Sequence, residues 1–230
     1  LTASVMSCST SHASQLSVSA SFYPLAEIVR TVGANVVDVQ DLTPEGHDAH
    51  DTELTAKQLQ RLEKSSLVFY FGDDFQPGSQ KAIESLPSSR TVNLFAKASE
   101  LGTTVSLKRF GAGFLCGTCE ATSDFDPHVW LDPANMIVLT QMVQERLSKL
   151  SPENAQTFAS NAQAYIAQLT DLGNEIDSSL SSCESTMLMT AHNSYSYLTH
   201  RVKLSPWPLA GYSPNKTVTG KMLQAMSASF

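Results

Sequence analysis

Apolar and polar positions in the first part of the chain alternate between two periods. Leu16 to Phe22, Val36 to Val39, Ser66 to Phe71 and Thr91 to Leu94 are short runs that suit strands, and Pro24 to Val32 and Thr55 to Lys64 recur at helical spacing between them. This alternation predicts a parallel α/β sheet. A Gly-rich stretch over roughly 100 to 127 breaks the rhythm and reads as a surface loop. Asp132-Pro133 then gives an N-cap followed by proline at the first helical position, and Met136, Leu139, Met142, Val143, Leu147 and Leu150 predict a helix over 133–150.

Ser151-Pro152-Glu153 repeats that start signal. Ala155, Phe158, Ala162, Tyr165, Ile166, Leu169, Leu172, Ile176 and Leu180 form one apolar stripe after it. A helix over 152–180 would run ~45 Å, more than the width of a small lobe and enough to link two. Thr186 to Thr190 and a short run near Pro208 to Ala210 predict two strands, with helices from about Asn193 to Val202 and from about Asn215. Two strands are too few for a covered parallel sheet. The pattern therefore divides the chain into a Ser-rich tail (1–15), an amino-terminal α/β lobe (16–150), a connecting helix (151–181) and a partial carboxyl-terminal lobe (182–230). It contains no internal repeat.

Charge narrows the partners. Fifteen Lys plus Arg against 22 Asp plus Glu give a formal charge of −7, without a basic cluster interleaved with aromatics, which argues against a nucleic acid. The densest apolar run, Leu67 to Phe71, falls well short of the ~18 residues that suggest a membrane-spanning helix. Val5-Met6-Ser7-Cys8 is similar to the cleavage box of bacterial lipoproteins, where the Cys receives the lipid; a disordered Ser-rich tail with an incidental Cys reads equally well. Cys116-Gly-Thr-Cys119 fits a short loop disulfide, half of a zinc site or a redox pair. Its Gly-rich setting favours the disulfide, and with it an extracytoplasmic compartment.

Three of the six histidines share a setting at a strand end or in a loop just before a helix: His50, His128 and His192. Ligands of parallel α/β sheets bind outside the carboxyl ends of the strands, so these histidines could converge, and convergent neutral imidazoles make a tetrahedral zinc site. Each also has an ordinary reading: His50 as a solvated loop residue, His128 as a packing partner of Trp130, His192 as a helix-start residue bonded to the backbone.

The combination carries a resemblance. Ser21-Phe22-Tyr23-Pro24-Leu25, the Gly-x-x-x-His-Asp spacing ending at His50 and Asp51, the run Asp126-Pro-His-Val-Trp-Leu-Asp-Pro133 and Thr190-Ala-His192 together resemble the metal-binding solute-binding proteins of ABC importers for zinc and manganese. The resemblance covers about residues 17 to 216 and implies two α/β lobes joined by one long rigid helix, with the metal between them. It implies His50 and His128 as ligands from the first lobe and His192 from the second, and Zn2+ rather than Mn2+, because imidazole suits zinc and oxygen ligands suit manganese. Its partner would be an ABC-type metal permease, its location the periplasm or the outer face of the cytoplasmic membrane of a bacterium, and its state a monomer.

This chain departs from the pattern in two places. It stops at Phe230 before the stretch that carries a fourth ligand, and Ala49 stands where some zinc-specific members have Glu, with His47 and Asp48 nearby. His47 reads as an accessory ligand or a solvated loop residue. Asp126 and Asp51 are candidates to orient an imidazole by accepting its second ring proton, with a turn role for Asp126 the alternative. His12 and His200 match no position of the family and read as surface residues. Three other functions compete: a manganese-binding homologue, a zinc-dependent hydrolase and a fragment unable to assemble its second lobe. The chain has no His-Glu-x-x-His helix, Gly-x-Ser-x-Gly turn or general base paired to the site, which weighs against an enzyme.

Overall fold

The computed structural model describes residues 15–43, 45–72, 75–96 and 126–208, together with 219, 220 and 224. Cys8, His12, Cys116, Cys119, nearly all of the Gly-rich stretch and the start of the helix expected from Asn215 lie outside the described residues.

Four strands, β1 (Leu16–Ala20), β2 (Val37–Asp41), β3 (Leu67–Tyr70) and β4 (Thr91–Asn93), form a sheet in the order β2-β1-β3-β4. Every pairing is parallel, with Val18 opposite both Val39 and Leu67, and Val68 opposite Thr91. The chain adds β2 on one side of β1 and β3 on the other, so a topological switch falls between β1 and β3. The carboxyl ends of those two strands open a crevice there.

The period-2 alternation of side chains divides β3 between two cores. Leu67 and Phe69 join the main core, whereas Val68 and Tyr70 pack with Leu42, Leu62 and Ile83 on the opposite face. Helix α1 (Tyr23–Gly33) buries Leu25, Ile28, Val29 and Val32 in the main core. Helices α2 (Ala56–Lys64) and α3 (Pro77–Glu84) contribute Leu62 and Ile83 to the smaller one. A capping box at Thr55 and Gln58 starts α2. The sequence pattern does not predict α3, since Ala82 and Ile83 are its only apolar side chains beyond Pro77 and Gly78 lies in its first turn.

Helix α4 (Pro133–Leu150) begins where Asp132-Pro133 predicts, the Asp132 carboxylate accepting from the Ala134 N–H at 3.0 Å. The next helix departs from expectation in its first turn: Pro152–Asn154 is 3-10, and α5 runs from Ala155 to Leu180. Its 26 residues span ~39 Å at ~1.5 Å per residue. Phe158, Ala162, Leu169 and Gly173 are its buried positions, and Leu172 is 46% exposed against expectation. Gly173 takes the buried place because a Cβ there would stand 2.9 Å from the Arg201 guanidinium.

Beyond α5, β5 (Met187–Thr190) and β6 (Ser205–Pro208) form a two-stranded parallel sheet joined through α6 (Ser196–Arg201). Strand β6 lies upstream of the expected Pro208 to Ala210. Proline tends to disqualify a strand because it lacks an N–H. Here the Ser205 N–H donates to the Thr186 carbonyl, so the imide nitrogens of Pro206 and Pro208 fall on the side turned away from β5. Among the described residues, no helix is long and apolar enough to cross a membrane.

Candidate metal centre

Three loops bring His50, His128 and His192 together, and one ring nitrogen from each lies within 4.8 Å of the others. The Nε2 atoms of His50 and His128 stand 3.2 Å apart. Two nitrogens bound tetrahedrally to one zinc at ~2.0–2.1 Å would be separated by ~3.3 Å, so this pair already has the spacing of a shared ion.

His50 sits on a 3-10 turn, Ala49–Asp51, in the connection between β2 and α2. The turn is held at both ends. Its cap, Asp48, accepts from the His50 N–H at 2.9 Å, and Gln76, fully buried, donates its amide to the Ala49 carbonyl at 2.8 Å. Gln76 also reaches the Ser21 carbonyl and Thr43 hydroxyl, tying the turn to the chain just beyond β1 and β2. The His50 ring meets Phe75 edge-on at 4.7 Å.

His128 precedes a 3-10 turn (Val129–Leu131) that leads into α4 and is 2% exposed. Asp126, fully buried, accepts from the His128 main-chain N–H at 2.9 Å and from its Nδ1–H at 2.7 Å through the same oxygen. A proton held on Nδ1 leaves the Nε2 lone pair aimed at His50, the arrangement by which a carboxylate sets the tautomer of a metal-binding imidazole. Asp126 thus makes the hydrogen bond that an orienting role would use. Asp51 lies exposed at the end of the His50 turn, where its charge favours protonated His50. The Trp130 ring does lie 5.1 Å from His128, so the packing contact and the histidine cluster coexist.

His192 follows β5, half-buried, with its ring centroid 5.3 Å from that of His128 and 6.0 Å from that of His50. The next residue, Asn193, accepts from the Ser196 hydroxyl and fixes the approach to α6. His47 is exposed and stands apart from the cluster, lining an open cleft with Tyr23, Arg30, Asp41 and Glu45. His200 is exposed on α6.

Burial disfavours the charged form of His50 and His192. His50 is lowered from 6.5 to about 4, first by loss of hydration and then by repulsion from His128, against an opposing pull from Asp48. His192 is lowered by the same two causes, with Asp48 and Asp126 opposing. At neutral pH both therefore present a free lone pair to a cation. Unfolding restores the ordinary imidazole value, so in acid the unfolded chain takes up protons that the fold excludes. The stability contributed by neutral His50 is full above 6.5 and is lost as pH falls toward about 4. Thermal unfolding of metal-stripped protein should show a midpoint that falls across that window, with a flatter profile in His50→Gln. A His50→Gln profile as steep as wild type would count against this origin.

A parallel sheet, a long helix and a second small sheet form the fold class of the solute-binding proteins that the sequence resembles. The family described as "Zinc-uptake complex component A periplasmic" matches residues 18–230, and the chain belongs to that family. It is 26% identical to the zinc-binding protein AdcA of Streptococcus pyogenes over 227 residues, 93% of this chain but 43% of AdcA. The high-affinity zinc uptake system protein ZnuA of Bacillus subtilis is also 26% identical, over 88% of this chain and 63% of its own length. Among solved structures, the periplasmic zinc-binding protein TroA of Treponema pallidum superposes with a TM-score of 0.80 at 23% identity, covering 94% of this chain and 74% of TroA. The chain thus spans less than half the length of the streptococcal relative.

Sequence reasoning passed over Gln76 and Tyr197. Gln76 touches the turn of His50 from 27 residues away, and the Tyr197 hydroxyl reaches Asp126 across 71, so no local pattern could announce either.

Proposed function

We propose that this chain captures Zn2+ outside the cytoplasmic membrane and delivers it to an ABC-type metal permease, with His50, His128 and His192 as its protein ligands. The observation that carries the proposal is the convergence of three imidazole nitrogens within 4.8 Å, two belonging to rings that burial holds uncharged. A buried carboxylate behind His128 would share the charge of an arriving cation. Membership in a zinc-uptake family supports the same reading. In it, residues 16–150 and 182–230 are the two lobes, 151–181 the connecting helix, and the protein acts as a monomer. Lipid attachment at Cys8 would keep it near the permease, and a Cys116–Cys119 disulfide would suit that compartment. His47 serves at most as an accessory group at the neighbouring cleft, and Asp51 as a modulator of His50.

An all-imidazole protein set favours zinc over manganese, which prefers oxygen ligands. Calorimetric titration of metal-stripped protein is expected to show one saturable zinc equivalent and much weaker manganese binding. No saturable zinc binding would overturn the proposal, and equal affinities would overturn its selectivity. Zinc-loaded protein should leave ester and peptide probes intact, whereas turnover abolished by His128→Ala would make it a hydrolase.

A further inference from the structure

Helix α6 begins four residues after His192, and two of its side chains reach the segment that carries His128. Tyr197, 3% exposed within the main core, donates its hydroxyl to the Asp126 carbonyl at 2.8 Å. One turn later, Arg201 places a guanidinium nitrogen 3.2 Å from the Asp132 carboxylate and grips both carboxylate oxygens of Asp177 on α5 at 2.7 Å each. These contacts bracket the segment from Asp126 to Asp132, and the Tyr197 end bears on the chemistry. Asp126 offers its carbonyl to Tyr197 and its carboxylate to both N–H groups of His128. A shift of that main chain would carry the carboxylate, and the imidazole with it.

We propose that Tyr197 is a positioning residue for metal capture: by fixing Asp126 it sets the orientation of His128, so that an amino-terminal ligand is aligned only when the helix behind His192 is docked. The role rests on His128 binding the metal, as proposed above. It makes the site sensitive to the seating of the carboxyl-terminal segment. Displacing α6 would withdraw His192 and misalign His128 together.

Tyr197→Phe tests this, because the ring keeps its place in the core and only the hydroxyl is lost. Groups that orient a metal ligand typically govern ~10–100-fold in affinity, and Tyr197, one bond further out, is expected to lie near ~10-fold. The variant should also release zinc faster and shift the visible ligand-field bands of the Co2+-loaded protein. Asp126→Asn should cost more affinity, and adding Tyr197→Phe to it should cost little further, since both act through one imidazole. Fully additive losses would overturn the relay. A Tyr197→Phe protein that melts earlier yet keeps wild-type affinity, release rate and cobalt spectrum would reduce Tyr197 to packing and overturn the positioning role alone. Wild-type protein that binds no zinc would instead overturn the proposed function.

Discussion

Alanine at position 128 is expected to lower zinc affinity on the order of 100-fold or more, since loss of a group that merely orients a ligand already costs ~10–100-fold. The substitution acts twice. It removes one of three nitrogens, and it strips Asp126, fully buried, of the ring N–H that its carboxylate accepts. The carboxylate keeps the main-chain N–H of residue 128, and losing one of its two buried donors costs about 1–3 kcal/mol, so the metal-free variant should also melt earlier. His192→Ala separates the two effects. That ring is half-buried, and its removal should weaken zinc binding while leaving the melting of metal-free protein nearly unchanged. Calorimetry and thermal unfolding on both variants give the comparison. Wild-type affinity in His192→Ala would leave a two-imidazole half-site and remove the carboxyl-terminal segment from the capture chemistry.

Phe22→Ala is expected to be the most damaging change to the fold outside the histidine cluster. Phe22 caps α1 directly after β1, at the switch point of the sheet, and is 2% exposed. Its ring meets Phe71 and Phe75 edge-on at 5.1 Å and Trp130 at 4.8 Å. The aromatic cluster thus joins the ends of β1 and β3 to the turn after His128, and Phe75 continues it to His50. Truncation of a buried phenylalanine costs about 3–5 kcal/mol, which for a chain of this size lowers the melting midpoint by roughly 10 °C. Denaturant unfolding should show the loss. A change below about 1 kcal/mol would mean that the cluster repacks around the gap and does not support the site.

Much of this architecture was legible because its signals are local. Asp132-Pro133 announces α4 through the chemistry of one cap and one ring, and the alternation of short apolar runs announces the parallel sheet. Misread elements are those in which the local signal opposes the tertiary solution. Helix α3 offers too little apolar surface to show a period, and β6 carries two prolines that only an outward-facing edge tolerates. Leu172 completes an apolar stripe on paper, but the buried position beside it is a glycine that makes room for Arg201. For the site, the sequence supplied the three histidines through their surrounding motifs and named Asp126 as one of two orienting candidates. Gln76 and Tyr197 stayed hidden because each acts across the fold on a main-chain carbonyl, which leaves no mark in residue type.

His50 and His128 lie 78 positions apart, and their nitrogens meet only once the parallel sheet has closed and α4 has docked beside it. Closing so long a loop is slow and entropically costly, and an unfolded chain presents these imidazoles to an ion separately. Zinc captured as proposed would therefore enter as a late guest in a finished building, unlike the ion of small domains that fold around their metal. At a free concentration 100 times its dissociation constant it would add about 2.7 kcal/mol by mass action. Its departure would leave the sheet and helices standing. A chain that captures zinc and hands it on, as proposed, would depend on that independence each time it stood empty.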